Sequence, residues 1–229
     1  MQTLPNWNED TCFIPINENL TLAGNLRVPP EPAGIVVFVH GSGSGRFSPR
    51  NQFVARCLHN IGIATLLLDL LTEQEEILDQ VHAHLRFNIA LLSERVLGAT
   101  QWLFTQPEVA HLKLGYFGAS TGAAAALVAA AQQPRLVAAV VSRGGRPDLA
   151  GNMLEQVQAP TLLIVGSRDE IVIRLNEEAY AHLHVEKCLE IVAGATHLFE
   201  EPGTLEQVAT LAGQWFTRHL ASQATGTTH

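Results

Sequence analysis

The chain has 229 residues, 47% hydrophobic and 16% charged, with a net charge of -8. That length can enclose a sizeable core as one folded unit, expected over residues 1–220. The acidic balance argues against a nucleic-acid binder, whose affinity rests on cations neutralising phosphates, and no uncharged apolar stretch is long enough to cross a bilayer.

In chain order, Cys12 to Ile16 and Leu20 to Val28 alternate around Asn17-Glu18-Asn19 and predict an antiparallel hairpin. Gly34 to Val39 is continuously apolar, the mark of a strand covered on both faces. A Gly/Ser-rich loop follows, then a helix from Pro49 to about Asn60 and a second buried strand, Ile63 to Asp69. The alternation continues with a helix over about 88–105, a strand from Lys113 to Phe117, a helix from Thr121 to Gln132 and a strand from Leu136 to Ser142. A short helical piece near 149–156 precedes a strand from Thr161 to Gly166. A helix from Arg174 to Leu183, a strand from Lys187 to Val192 and a closing helix from Leu205 to Leu220 complete the series. Strands separated by helices of this length imply a mainly parallel sheet of about eight strands, with helices on both faces and the hairpin as an antiparallel edge.

Two segments interrupt the pattern: 70–87, rich in Glu, Gln and His, and a loose tail at 221–229. The first is expected to be a short lid or a loop at the pocket mouth, or else an acidic solvated loop. Met1 to Thr11 has no apolar run of the kind a signal peptide needs. Three scattered cysteines, Cys12, Cys57 and Cys188, suit reduced thiols, so a cytoplasmic protein is expected.

The chemistry centres on Gly118-Ala119-Ser120-Thr121-Gly122, between a strand-like run and an alanine-rich helical one. G-x-S-x-G arises by chance in about one chain of this size in ten, so its strand-turn-helix setting is what carries weight. A serine on so sharp a turn is strained and projects its hydroxyl, and its neighbours two residues away must be tiny. An alcohol also needs a base, and the base an orienting acid. In open parallel sheets such groups gather in loops at the carboxyl ends of strands. There the chain offers Ser167-Arg168-Asp169-Glu170 and Gly194-Ala195-Thr196-His197. Glu170 and Asp148 are alternative acids, and Asp169 could instead cap the following helix.

These motifs resemble the α/β-hydrolase fold, and within it the dienelactone hydrolase family. The likeness is carried by His40-Gly41-Ser42-Gly43, the Gly118 to Gly122 turn, Gly166-Ser167-Arg168-Asp169, and Gly194-Ala195-Thr196-His197-Leu198-Phe199. The resemblance implies Ser120 as nucleophile, His197 as general base and then acid, and Asp169 as the group that fixes the imidazole. Dienelactone hydrolases proper use cysteine at the turn, so serine here implies their acyl-transfer machinery rather than dienelactone as substrate. The oxyanion hole is expected from two backbone N–H groups, those of Thr121 and Ser42, each worth about 3 kcal/mol of barrier. A small ester or lactone is the expected substrate, with no cofactor, metal, nucleic-acid or membrane partner. Thioester, acyl-transfer or peptide chemistry needs the same three residues, and a catalytically silent partner domain is the rival from another class.

Arg46, Arg50, Arg143, Arg146 and Arg168 all fall in loops at the expected active-site end. Arginine's planar fork suits carboxylate or phosphate oxygens, so Arg46, Arg143 and Arg146 are candidates for holding an anionic part of the substrate. The alternative is pairing with rim carboxylates such as Asp148, Asp169, Glu170, Glu200 and Glu201. His40 is expected to brace the oxyanion loop. His82 with His84, and His182 with His184, lie two apart without an accompanying ligand cluster, which suits solvated histidines.

Overall fold

Runs that are apolar nearly throughout cannot face water on either side, and three of them set this architecture: β3 (Gly34–Val39), β4 (Ile63–Leu68, with Thr65) and β7 (Thr161–Gly166) are buried along their whole length. The computed structural model describes residues 11–221, so residues 1–10 and most of the expected tail (222–229) lie outside the described residues. The remaining strands are β1 (Thr11–Asn17), β2 (Leu20–Arg27), β5 (Leu114–Ala119), β6 (Val137–Arg143) and β8 (Lys187–Val192). The helices are α1 (Pro49–Asn60), α2 (Glu73–His82), α3 (Ile89–Leu103), α4 (Thr121–Gln132), α5 (Glu170–His182) and α6 (Thr204–Leu220), with a 3-10 stretch at Pro147–Gln156.

The eight strands form one sheet in the order β1-β2-β4-β3-β5-β6-β7-β8. β1 and β2 are antiparallel to their neighbours, and β3 to β8 run parallel, as the residue pattern predicts. Because successive side chains point to opposite faces, each central strand feeds two cores. Val36, Phe38, Phe117, Val141 and Ile164 meet α1 and α6 on one face, while Val37, Val39, Tyr116, Val140 and Leu163 meet α3 and α4 on the other.

Two elements depart from expectation. Residues 70–87 contain the helix α2. Its start is a reciprocal cap: Thr72 Oγ1 accepts from Glu75 N–H at 3.2 Å, and Glu75 Oε2 accepts from Thr72 N–H at 2.8 Å. The helix turns its polar side inward, with Glu73, Glu76, Asp79 and Gln80 on the wall of a cavity, and leaves Ile77, Leu78 and Val81 exposed. Arg95 on α3 anchors it through Glu75 at 2.8 Å. The second departure is α5, which begins at Glu170, four residues before the expected start. Its first turn holds Ile171, Val172 and Ile173, β-branched residues of modest helix propensity that read as extended chain.

α4 crosses β3 at unusually short range. A Cβ on Gly122 would lie 2.2 Å from Val39 O and 2.3 Å from His40 O, and one on Gly118 would lie 2.4 Å from Ala123 Cα. Alanine is intrinsically favoured over glycine within a helix by about 1 kcal/mol, but a clash with backbone oxygens outweighs that gain. Gly122→Ala is therefore expected to lose about 2 kcal/mol or more of stability, read by urea unfolding. A neutral or stabilising outcome would show that the crossing can relax.

Candidate active site

The close crossing controls the turn between β5 and α4. Ser120 occupies it with φ 49° and ψ -124°, a region that side-chain-bearing residues rarely enter. Three backbone bonds hold it there. Ser120 N–H donates to Arg143 O at 3.3 Å, and Ser120 O accepts from Ala123 N–H at 3.1 Å and Arg146 N–H at 3.0 Å. A Cβ on Gly41 would fall 2.9 Å from Ser120 Cβ, so the loop after β3 passes directly against the serine.

Asp169 and His197 are drawn together by the loops after β7 and β8. Arg168 N–H donates to Ala195 O at 2.9 Å, Ser167 N–H to Val192 O at 2.9 Å, and Gly194 N–H to Ser167 Oγ at 2.8 Å. Gly166 permits this contact, since a Cβ there would sit 2.4 Å from Ala195 O. Asp169 precedes α5 but makes no side-chain cap; its Oδ2 lies 2.6 Å from His197 Nδ1. A carboxylate only accepts, so Nδ1 carries the proton and Nε2 is left as the basic nitrogen. Of the alternative acids, Asp148 is engaged by Arg146 through two bonds of 2.8 and 2.7 Å, and Glu170 is exposed.

Ser120 and His197 meet through Gly144. This residue (φ 50°) follows Arg143, the backbone partner of Ser120, and a Cβ on it would lie 3.0 Å from His197 O and 3.6 Å from His197 Nδ1. Among the described residues no hydrogen bond joins the Ser120 hydroxyl to the imidazole. Such bonds are commonly long before substrate binds.

The expected oxyanion donors lie side by side. Thr121 N–H belongs to the first turn of α4, where donors lack intrahelical acceptors. Ser42 N–H donates to Thr121 Oγ1 at 3.0 Å, a contact that the sequence gives no means of anticipating. His40 locks the same loop: Leu70 N–H donates to its Nε2 at 2.9 Å, which leaves Nδ1–H to donate to Gly41 O at 2.9 Å. A cavity of about 910 Å³ lies on the far side of this loop, between residues 41–50 and α2. Ser120, Asp169 and His197 are not on its wall; Gly41 and Ser42 form the partition.

The candidate arginines divide sharply. Arg46 bonds Asp69 and Arg146 bonds Asp148, whereas Arg143 is buried and bonds only neutral Asn51 Oδ1 at 3.3 Å. Among the described residues no His, Cys, Asp and Glu cluster suits a metal ion, and no helix is long and apolar enough to cross a membrane. Cys12, Cys57 and Cys188 are free thiols, each pushed upward in pKa first by burial.

The dienelactone hydrolase family model matches residues 22–219, which include every residue of this constellation. The chain belongs to the dienelactone hydrolase family. It is similar to the crystal structure of dienelactone hydrolase from Anabaena variabilis, with 55% identity, a TM-score of 0.90, and coverage of 92% of this chain and 97% of that one. Est1E from Butyrivibrio proteoclasticus shares the fold at 16% identity, with a TM-score of 0.76 over 91% of this chain and 98% of its own. Two Mycobacterium tuberculosis proteins provisionally named as phosphoribosyl transferases are 60% identical over 199 residues, 87% of this chain. The match spans only 44% of their length, so that name describes proteins about twice as long. As a dienelactone hydrolase family member, the chain carries hydrolase architecture with serine at the sharp turn.

Two outcomes follow from the site's physical state. Glycine tolerates the Ser120 backbone conformation and alanine does not, so Ser120→Gly is expected to be more stable than Ser120→Ala by about 1 kcal/mol in urea unfolding. Equal stabilities would mean that the turn is unstrained. For His40, burial pushes the imidazole below its ordinary value of 6.5, against smaller opposing effects of Gly41 O and Asp69. The unfolded chain then binds more protons at this residue than the folded one. This contribution to stability is complete above pH 6.5 and is lost as pH falls from 6.5 toward the folded value. His40→Gln should flatten that part of the stability–pH curve; a curve superimposable on wild type would refute the assignment.

Proposed function

We propose that this dienelactone hydrolase family member is a serine hydrolase that opens an ester or lactone bond of a small substrate through an acyl-enzyme. The observation that carries the reading is the 2.6 Å bond between Asp169 and His197, beside a serine on a strained strand-to-helix turn. With Nδ1–H engaged by Asp169, His197 Nε2 is free to take the Ser120 proton as Oγ attacks the carbonyl. The developing oxyanion is received by Thr121 N–H and Ser42 N–H, and it displaces the Thr121 hydroxyl from the latter. His197 then returns the proton to the departing alkoxide; in a lactone this alkoxide stays tethered to the acyl group. Water, deprotonated by the same nitrogen, releases the acid and restores Ser120.

The solved Anabaena relative, dienelactone hydrolase by name and matched along 97% of its length, supports ester or lactone chemistry over the other acyl transfers open to these groups. A silent domain serving a larger protein is the rival reading, favoured only by the half-length match to the Mycobacterium tuberculosis proteins. A fluorophosphonate separates the two, because it reacts with an activated serine and spares an inert one. Adduct formation at Ser120 is expected in wild type and none in Ser120→Ala, by intact-mass measurement. Asp169→Asn should lower kcat for an aryl ester by about 10⁴ with little change in KM. Folded wild-type protein that forms no adduct would decide for the silent domain.

A further inference from the structure

The buried side of α5 is apolar except at one position. Val172, Asn176 and Ala179, followed by Leu183 just past the helix end, recur at helical spacing and are all buried. Asn176 stands in the middle of that stripe and is 0% exposed. An amide buried in such surroundings is costly unless hydrogen bonds replace its water. Its Nδ2 donates to Val172 O at 2.8 Å, one turn back, and to Gly145 O at 3.0 Å, in the loop after β6. Only an NH2 group can face two carbonyl oxygens, so the partners themselves fix this orientation. Oδ1 has no donor among the described residues. A leucine would continue the stripe without that cost, so the contribution of the amide lies in the loop it grips.

That loop brackets the nucleophile turn. Arg143 O accepts from Ser120 N–H, Arg146 N–H donates to Ser120 O, and Gly144, between them, lies against His197. A Cβ on Gly145 would meet Ser142 Oγ and Ala123 Cβ, so the segment is confined from the α4 side, and Asn176 holds it from the other. The helix that carries Asn176 also carries the acid. Asp169 O accepts from Ile173 N–H at 2.9 Å in the first turn of α5, while its carboxylate engages His197. Asn176 lies seven residues beyond Asp169, on the same face of the helix. We propose that Asn176 is a positioning residue, tying the helix that bears Asp169 to the segment that holds Ser120 and so fixing how the Asp169–His197 pair stands to the serine hydroxyl; the proposal rests on the hydrolase reading above. Asn176 touches no reacting group and acts only through Gly145 O. The three reacting residues come from three separate loops, and a misplacement of about 1 Å between such groups costs about 10²-fold in rate.

The test is Asn176→Leu, which keeps the volume and the apolar packing while removing both donors. With rates counted per fluorophosphonate-titrated site, kcat for an aryl ester should fall by about tenfold or more with KM unchanged. The fluorophosphonate should label Ser120 more slowly by a similar factor, yet to the same final extent. A residue that merely stabilises the fold would alter the titrated fraction and leave the rate per site at the wild-type value, and that result overturns the proposal. Asn176→Asp, of the same shape, carries the test if Asn176→Leu does not fold. Its carboxyl can donate to Gly145 O only while protonated, so its kcat per site, divided by that of wild type at the same pH, should fall as pH rises. A ratio flat between about pH 5 and about pH 9, the span over which a buried carboxyl titrates, overturns the proposal. A further readout is independent of turnover. In Asn176→Leu the amides of Ser120, Gly144 and Arg146 should exchange hydrogen about tenfold faster while those of β7 keep their wild-type protection, and Arg174→Ala, on the exposed side of α5, should change neither. If wild type cleaves no ester and forms no adduct, the hydrolase reading falls and exchange alone decides. Faster exchange at those three amides then upholds the tie between α5 and the Ser120 segment, and unchanged exchange refutes it.

Discussion

The closeness of α4 to β3 is the constraint from which the rest of the site follows. Two backbone oxygens, Val39 O and His40 O, occupy space that any side chain at position 122 would need. With the helix start pressed this near the sheet, the chain leaving β5 has no room for an ordinary turn. Ser120 is consequently held at positive φ, with its hydroxyl-bearing carbon against Gly41. Strain of this kind costs about 1–3 kcal/mol, small beside the burial of Phe38, Phe117, Val37 and Val39 around the same junction. The hydrophobic core therefore tolerates a conformation that an isolated peptide would abandon at once.

The same crossing orders the oxyanion loop. His40 sits at the end of β3 and spends both ring nitrogens on backbone partners, one on Gly41 and one on Leu70. That arrangement demands a neutral ring, and burial enforces neutrality by lowering the imidazole's proton affinity. A second zipper, between the loops after β7 and β8, sets the Asp169–His197 pair. Gly144 lies where the two systems touch. Both systems work by hydrogen bonds from a few polar side chains, His40 and Ser167 among them, to backbone groups of the loops, so the site's geometry follows the strand ends that carry those loops.

Much of this was legible from residue order alone. Continuous apolar runs identify β3, β4 and β7 because a parallel strand must be covered twice, and the glycines at 118 and 122 mark a turn that only tiny residues fit. Position in the loops after β7 and β8 was enough to nominate Asp169 and His197. Two features misled. α2 carries its apolar residues outward, so its periodicity points away from any core, although the Thr72 to Glu75 capping pattern marks its start. The first turn of α5 is β-branched, and its helical state is imposed by the tight exit from Gly166 rather than by propensity. Pairing among charges was legible only as an open alternative, with Asp148 and Glu200 named but not matched to particular arginines. Arg143 and Arg146 occupy the same Gly-rich segment, yet the alternation of β6 sends Arg143 beneath the His197 loop, while Arg146, past Gly144 and Gly145, turns back to Asp148.

That division shapes the electrostatics of the cavity wall. The α2 wall presents acids inward, but Asp79 is consumed by Arg86, and the adjacent Glu75 by Arg95. Among the described residues Glu76 keeps no ion pair, and burial first, then the nearby Asp69 charge, raises its proton affinity. The cavity is thus polar without carrying a strong net anionic field on that side. On the opposite side, Arg50 lines the cavity and is held only by the solvated Glu200 carboxylate. The field inside the cavity is therefore set by which carboxylates keep a partner rather than by how many line the wall.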